Sequence, residues 1–406
     1  MYSVHSLPNG IKVVAIPAPG PVCYCGLVIN AGTRDELPGE QGLAHFVEHT
    51  IFKGTSRRSA SHILNRLDEV GGELNAYTNK DETAVHASFL DKYFERAAQL
   101  ISDMVFDSVF PEREIEKEKD VIVDEITSYL DSPAELVFDE FEDLAFAGTP
   151  LGHNILGTPE SVQSFHAADA LRFCLREHST DQMAFTVLGN IPEDKVFRVA
   201  EKFFGSRSPR LGRQPRQRAL SFAKFDVVQQ RDTNQAHVVL GAKAPDCMDD
   251  DRLLMSVISS LLGGPSMNSR LSVALRERNG IAYNVETNYT SFDDTGLFTV
   301  YFGTDPQNVN RSLRIVRREL DKLCQAPLSA SQLNRLLRQY VSQLLMSADN
   351  GENIMLSAGR AAIVYGQALS LTEMADVVSR SVTADGILRV AQSVLAPDAL
   401  SSLIFK

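Results

Sequence analysis

Two histidines and a glutamate stand close together in the segment 42–55, which reads GLAHFVEHTIFKGT. His45 and His49 are four residues apart, so on a helix both imidazoles lie on one face and can reach one metal ion. Glu48 lies beside that face, where it suits a water molecule better than the metal itself. The order HxxEH is the reverse of the common HExxH zinc motif, and it predicts metal-assisted chemistry on a bound water.

A third ligand is needed, because catalytic zinc usually has three protein ligands and an open fourth position. The helical pattern at 111–130 offers Glu118 and Glu125, which are two turns apart and share a face. Apolar residues flank Glu125, so part of this helix is buried, and a carboxylate there needs a cation as partner. The motif alone occurs by chance in on the order of one chain in a hundred of this length, so two ordinary histidines on an amphipathic helix remain an alternative at this point.

The elements that must position these residues form two similar halves. Each half opens with strands and continues into mixed helices and strands, which predicts an α+β fold of two homologous mixed α/β domains. A Gly-, Pro- and Arg-rich segment at 205–218 predicts an exposed linker between domains 1–204 and 219–406, with a basic docking strip as the alternative. Residues 249–262 of the second half contain neither His nor Glu, so we expect one zinc per chain.

The composition excludes several classes of protein. The formal net charge of the 406 residues is −12, which argues against nucleic-acid or anionic-membrane binding. Residues 1–200 contain 32 acids and 16 bases, so the half with the HxxEH motif holds the negative charge. Five cysteines without CxxC spacing predict reduced thiols, and no apolar run or leader-like N-terminus is present. The expected location is the cytoplasm.

Several further segments complete a family resemblance. The chain resembles the pitrilysin/insulysin family of HxxEH zinc metallopeptidases, in its short two-domain bacterial type, which is similar to the beta subunit of mitochondrial processing peptidase. The segments that carry the resemblance, besides the motif with its FKGT tail, are LPNGIKVV, NAGTRDE, GGELNAYTNKDET at 71–83, LGHNILGTPE at 151–160 and SRLSVALRERNGIAYNV at 269–285.

The resemblance implies roles for individual residues. Zn²⁺ is bound by His45, His49 and Glu125, because the family has a glutamate ligand about 75 residues after the motif and Glu125 lies 76 residues after His49. Glu48 is the general base. The remaining implied site residues are Glu118 as a second important glutamate, Asn75 and Ala76 as holders of the substrate backbone, Arg276 as a substrate-binding residue and Tyr283 as a donor to the transition state.

Chain length and the resemblance together predict an assembly. Long family members carry four homologous domains, so a chain with two is expected to be half of a clamshell and to form a homodimer. Arg276 and Tyr283 would then act on the zinc site of the partner chain. The expected activity is endopeptidase cleavage of peptides or short unstructured polypeptides inside a closed chamber. A presequence-processing peptidase of narrow specificity and a non-catalytic partner subunit are the alternatives.

Overall fold

The computed structural model describes residues 1–211, 215–219 and 221–406, so positions 212–214 of the predicted linker lie outside the described residues. The chain packs into two compact units. The first contains residues 1–127, 154–216 and 347–373, and the second contains 128–153, 217–346 and 374–406. Two exchanged segments, 128–153 and 347–373, each belong to the unit formed mainly by the other half of the sequence. The division into domains 1–204 and 219–406 stays a prediction.

The predicted α+β class is confirmed, with a mixed sheet in each unit. The strands are β1 Ser3–Ser6, β2 Lys12–Pro17, β3 Val22–Ile29, β4 Glu73–Thr78, β5 Thr83–Leu90, β6 Met183–Gly189, β7 Asp226–Gln229, β8 Ala236–Ala244, β9 Ala282–Ser291, β10 Gly296–Thr304 and β11 Ser401–Phe405. The α-helices are α1 Leu43–Thr50, α2 Ala60–Asp68, α3 Phe94–Asp107, α4 Glu112–Leu130, α5 Pro133–Ala145, α6 Pro159–Ser164, α7 Ala167–Glu177, α8 Glu193–Ala200, α9 Arg252–Gly263, α10 Arg270–Ser272, α11 Val309–Gln325, α12 Ala330–Met346, α13 Gly351–Tyr365, α14 Leu371–Ser381 and α15 Ala384–Val394.

The sheet of the first unit has the strand order β1-β2-β6-β3-β5-β4, so β4 is an edge strand. Alternation along β3 buries Cys25 and Leu27 in a core shared with α3, whereas Val28 points to the other face. That other face is covered by α13, which comes from the last quarter of the sequence and contributes Met355 and Leu356. The exchanged segment 347–373 is therefore needed to bury one face of this sheet.

The sheet of the second unit has the order β7-β11-β8-β10-β9, with β9 at an edge. Val238 and Leu240 of β8 face a core with α9 and α15, and the intervening Val239 faces Phe141 of α5. The exchanged segment 128–153 thus covers one face of this sheet, as α13 does in the first unit. No helix in the described part of the chain is long and apolar enough to cross a membrane.

Three local features differ from the sequence predictions. The helices α6 and α7 occupy 159–177, a region where the sequence pattern predicts no element. The pattern at 267–278 predicts one regular helix; residues 270–277 are helical, but the short α10 passes into a π-helical turn at 273–277. Arg216, in the segment predicted to be an exposed linker, has a side chain only 12% exposed, because its guanidinium pairs with Asp35 at 2.8 Å.

Candidate metal centre

The helix α1 begins at a point that only glycine can occupy. Gly42 has φ of 90°, and a Cβ there would lie 2.7 Å from the backbone oxygen of Leu156 and 2.8 Å from Cα of Gly157. The carboxylate of Glu36 then accepts hydrogen bonds from the backbone N–H groups of Gly42 at 3.0 Å and Ala44 at 2.8 Å. A negative charge at a helix N-terminus satisfies free amides and complements the helix dipole. The start of α1 is therefore fixed before any metal binds.

One face of α1 packs against α4. Phe46 and Val47 of α1 share a hydrophobic core with Ile115, Ile122 and Ile126 of α4. The spacing of these isoleucines sets one stripe of α4 against α1. This packing brings the carboxylates of α4 beside the histidines of α1.

His45, His49 and Glu125 form a group that could hold a metal ion, with one donor atom from each lying within 4.8 Å of the others. Nε2 of His49 is 3.2 Å from Oε2 of Glu125, and Nε2 of His45 is 3.7 Å from the same oxygen. A tetrahedral zinc with bonds of about 2.1 Å places its ligand atoms roughly 3.4 Å apart. Two imidazoles and one carboxylate are also a donor set that zinc prefers in catalytic sites. The residues present fit zinc in both geometry and chemistry.

Glu118 orients one of these histidines. Its Oε1 lies 3.0 Å from Nδ1 of His49, and its Oε2 lies 2.6 Å from the Lys53 ammonium. Burial would raise the pKa of Glu118, but the hydrogen bonds to His49 and Lys53 outweigh it and lower that pKa. An ionised Glu118 accepts the Nδ1 proton of His49, so Nε2 is the nitrogen that faces Glu125 and is available to a metal. This is the carboxylate–histidine arrangement that commonly supports a zinc ligand.

The two histidines differ in their protonation. Burial, with a smaller effect of the neighbouring His49, lowers the pKa of His45 to about 3, so this imidazole is neutral at neutral pH. Its Nδ1 is buried and has no hydrogen-bond partner among the described residues. Burial also acts to lower the pKa of His49, but the carboxylates of Glu118, Glu125 and Glu48 outweigh it and raise that pKa. A neutral His45 is already in the form that binds a metal.

Glu48 is held beside the metal group by the edge strand β4. Burial raises the pKa of Glu48, while the neighbouring Thr78 and then His49 oppose that rise. Thr78 is the last residue of β4. The raised pKa and the position one residue from His49 are those of a group that can exchange a proton with a water molecule.

The other residues with predicted roles divide between the two units. Asn75 and Ala76 lie on β4, paired with His86 and Val85 of β5, and the other edge of β4 is open in the sheet. Arg276 and Tyr283 lie in the second unit, at the π-helical turn and the start of the edge strand β9. Both are exposed, Tyr283 by 82%.

A buried ion-pair network holds the turn between β4 and β5. The carboxylate of Asp81 in this turn forms ion pairs with three guanidinium groups, those of Arg34 at 2.9 Å, Arg360 at 3.2 Å and Arg216 at 3.4 Å. Burial acts to raise the pKa of Asp81, but these three cations outweigh it, and the pKa lies below its usual value. Because Thr78 precedes this turn, the network also fixes the end of β4 that contacts Glu48.

Three residues of this site lie outside the sequence predictions: Glu36, Lys53 and Thr78. Lys53 could have been found from its position in the motif's FKGT tail, four residues after His49 and just beyond the end of α1 at Thr50. Thr78 and Glu36 reach the site only through the tertiary fold. A second group with possible ligands, Glu112, Glu116 and His166, is fully exposed, and Glu116 pairs with Lys119 at 2.7 Å.

Comparison with known proteins accounts for this arrangement. The family model described as insulinase (peptidase family M16) matches residues 12–159, and the model described as the peptidase M16 inactive domain matches 164–340. The uncharacterized zinc protease YmxG of Bacillus subtilis is 31% identical over 406 residues, which cover 100% of this chain and 98% of that protein. This chain belongs to peptidase family M16. The M16 chain is also 32% identical over 403 residues to an uncharacterized zinc protease of Streptomyces coelicolor, covering 96% of this chain and 86% of that protein.

Solved structures share the fold of the M16 chain over its full length. A protease from Helicobacter pylori superimposes with a TM-score of 0.89 at 20% identity, covering 100% of this chain and 99% of that one. A structure from Pseudomonas fluorescens titled peptidase M16 inactive domain superimposes with a TM-score of 0.90 at 17% identity, covering 100% and 97%. The metal group lies in the part matched by the first M16 model, and Arg276 and Tyr283 lie in the part matched by the second.

Proposed function

We propose that this M16 chain is a zinc-dependent endopeptidase that cleaves peptides and short unstructured polypeptides. The observation that carries the proposal is the position of Glu48, which lies between a three-ligand metal group and an edge strand with an open side. Zinc held by His45, His49 and Glu125 supplies Lewis acidity, which polarises a carbonyl and acidifies water. The chain's own residues supply orientation and proton transfer.

Glu48 acts as the general base in this proposal. Its carboxylate accepts a proton from the attacking water and returns that proton to the departing amine. Burial raises its pKa toward the range in which both transfers are efficient. Thr78, at the end of β4, lies beside this carboxylate and lowers its pKa relative to burial alone.

The strand β4 is proposed to bind the substrate backbone. An extended peptide can add to an open sheet edge through main-chain hydrogen bonds. The affinity then comes from the extended backbone, which peptides of different sequence share. Asn75 is exposed on this strand, next to Ala76. Because the peptide must be extended to pair with β4, folded proteins are excluded as substrates and unstructured segments are accepted.

A homodimer is proposed to complete the site. The exposed Tyr283 phenol would donate a hydrogen bond to the negative charge that develops on the carbonyl oxygen, and the exposed Arg276 would bind the substrate backbone, both from the partner chain. Large exposed aromatics and exposed arginines are typical of residues that meet another surface. The closed chamber that such a dimer would form is part of the same proposal.

Replacement of Glu48 by Gln tests the catalytic proposal. The variant should keep its zinc, because Glu48 is not a ligand, and should lose about 10²- to 10⁴-fold in kcat on a quenched fluorescent peptide. Wild-type cleavage should also disappear with a chelator and return with zinc. Full activity of Glu48→Gln, or cleavage that survives zinc removal, would contradict the proposal. A panel of unrelated peptides distinguishes a broad endopeptidase from a processing enzyme with one defined substrate.

A further inference from the structure

The second unit contains a polar cavity of about 240 Å³, partly open to solvent, beside α9, α10 and α12. It lies outside the metal centre, and no residue considered so far lines it. Arg270 and Arg335 both face this cavity. Arg270 is half-buried and Arg335 is exposed. Two cations beside one cavity repel each other, and the half-buried one loses part of its hydration, so the pair favours an anionic ligand.

Neither arginine has a partner of its own. Among the described residues, Arg270 and Arg335 make no ion pair and no side-chain hydrogen bond. Burial lowers the pKa of Arg270; the charge of Glu319 acts in the opposite direction, and the charge of Arg335 adds a smaller lowering. Oε1 of Glu319 is already bound by Lys322 at 2.7 Å. The one nearby carboxylate is thus shared with another cation and does not neutralise the pair.

The surroundings of the two arginines are also basic. A second opening, of about 460 Å³, shares Arg270 and Arg335 with the cavity and adds Arg278 and Lys322. Glu319 is the only acid that lines it. The balance of four cations against one carboxylate favours an anionic ligand at the wall that the two spaces share.

Two of the neutral polar side chains that line the cavity have their oxygens engaged in hydrogen bonds. The side-chain oxygen of Asn268 accepts from Nε2 of Gln339 at 3.1 Å, and that of Gln332 accepts from the backbone N–H of Ser329 at 2.8 Å. With these oxygens engaged, the amide NH₂ groups of Asn268 and Gln332 are what remain to meet a ligand. Two guanidiniums and two amide groups suit an acceptor-only ligand such as a carboxylate or a phosphate.

The apolar part of the lining favours a carboxylate over a phosphate as the ligand. Leu261, Leu328 and Leu336 also face the cavity. Inorganic phosphate would leave this apolar surface without a contact. A ligand with both a carboxylate and an aliphatic side chain would contact the arginines and the leucines together. A volume of about 240 Å³ accommodates one such residue.

We propose that this cavity binds the C-terminal residue of a peptide, with its α-carboxylate on Arg270 and Arg335 and its aliphatic side chain among the leucines. The proposal rests on the proposed function, because it assigns a second anchoring point to the same class of substrate. It adds a requirement that the metal centre does not impose, namely a free carboxylate. Peptides with an amidated C-terminus would lose this anchor.

Calorimetric titration with N-acetyl-leucine tests the proposal on the full chain. N-acetyl-leucine should bind wild-type protein, and N-acetyl-leucinamide, which has the same shape without the charge, should bind at least about tenfold more weakly. Arg270→Gln and Arg335→Gln should weaken the binding of N-acetyl-leucine by about tenfold or more. Arg317→Gln, an exposed arginine on α11 that does not line the cavity, is the matched control and should bind as wild type.

Several results would overturn this site. Equal binding of the acid and the amide, unchanged binding in Arg270→Gln, or binding of inorganic phosphate without N-acetyl-leucine would each contradict it. Thermal melting distinguishes lost binding from unfolding, because removal of an unpaired, partly buried cation should leave the melting temperature unchanged or higher. The titration needs no catalysis. Bound probe without peptide cleavage contradicts the proposed function alone, whereas cleavage without discrimination of the probe from its amide contradicts the anchoring site alone.

Discussion

Oε1 of Glu118 lies 3.0 Å from Nδ1 of His49. This contact fixes the orientation of the imidazole and the nitrogen that carries its proton. Lys53 holds the other carboxylate oxygen at 2.6 Å, so Glu118 itself has little freedom to turn toward the metal group. The geometry assigns Glu118 to positioning His49, and only a displacement of both partners would make it a ligand.

Glu118→Gln should therefore weaken zinc binding by about 10- to 100-fold, because loss of a carboxylate behind a histidine ligand has that typical cost. Competition with a chromogenic chelator measures the affinity. Asp120→Asn on the same helix is the control, since Asp120 is exposed and should leave the affinity unchanged. An unchanged zinc affinity in Glu118→Gln would show that His49 does not depend on this contact.

Gly42→Ala should destabilise the first unit and displace the start of α1. An alanine at position 42 would be strained by its φ of 90°, and its Cβ would also lie 2.7 Å from the backbone oxygen of Leu156. Only the second effect disturbs a neighbouring residue. Gly71→Ala is the matched control, because Gly71 has φ of 73° and nothing within 4 Å of the added Cβ. We expect a loss of about 1–2 kcal/mol for Gly71→Ala from strain alone and a larger loss for Gly42→Ala, measured by urea unfolding. Equal losses would mean that the contact with Leu156 and Gly157 is easily relieved.

Asp81→Asn should lower the free energy of unfolding by about 3–5 kcal/mol at pH 7, because it leaves Arg34 buried without its carboxylate. The pKa of Asp81 is lower in the folded chain than the value of about 3.9 in the unfolded chain. The stabilisation that the Asp81 carboxylate gives the folded chain is therefore complete above about pH 4, and it is lost as the pH falls through the pKa of Asp81 in the folded chain. The difference in the free energy of unfolding between wild type and Asp81→Asn should stay constant from pH 7 to 5 and shrink only below about pH 4. Asp68→Asn, an exposed substitution, should show neither effect.

Asn75→Ala should raise KM on an unstructured peptide several-fold while kcat changes less, because the side chain is proposed to hold substrate and not to transfer protons. The Oδ1 of Asn75 accepts a hydrogen bond from the backbone N–H of Ala76 at 2.9 Å. The substitution therefore also removes this local hydrogen bond on the edge strand. Glu73→Gln, two residues earlier on the same strand, is the control. A fall in kcat at constant KM would instead place Asn75 in the chemical step.

Mixed dimers test whether the site is shared between two chains. His45→Ala removes a proposed zinc ligand and Arg276→Ala removes a proposed partner residue, so each variant should be nearly inactive alone. Random mixing of the two makes half of the dimers hybrid, each with one intact composite site, and should recover about one quarter of wild-type activity. No recovery after subunit exchange, verified by native mass spectrometry, would contradict sharing between chains.

Local sequence determined much of the metal centre. The four-residue spacing of His45 and His49 needs only a helix to align the imidazoles, and the seven-residue spacing of Glu118 and Glu125 needs only a second helix. The alternation of β4 and β5 likewise follows from side-chain period alone. These predictions need only one element at a time, and the structure places the residues on the expected helices and strands.

The tertiary structure decided what depends on two or more elements. Nothing in the sequence says that α13 covers the first sheet, that Arg216 pairs with Asp35, or that Arg270 and Arg335 share a cavity without an acid. These relations come from packing of segments distant in sequence, where burial outweighs the local tendency of an arginine to stay in water. The sequence by itself determined the ligand types and their helical phase. The fold determined which nitrogen of His49 faces Glu125, because only the packing of α4 on α1 places Glu118 behind it.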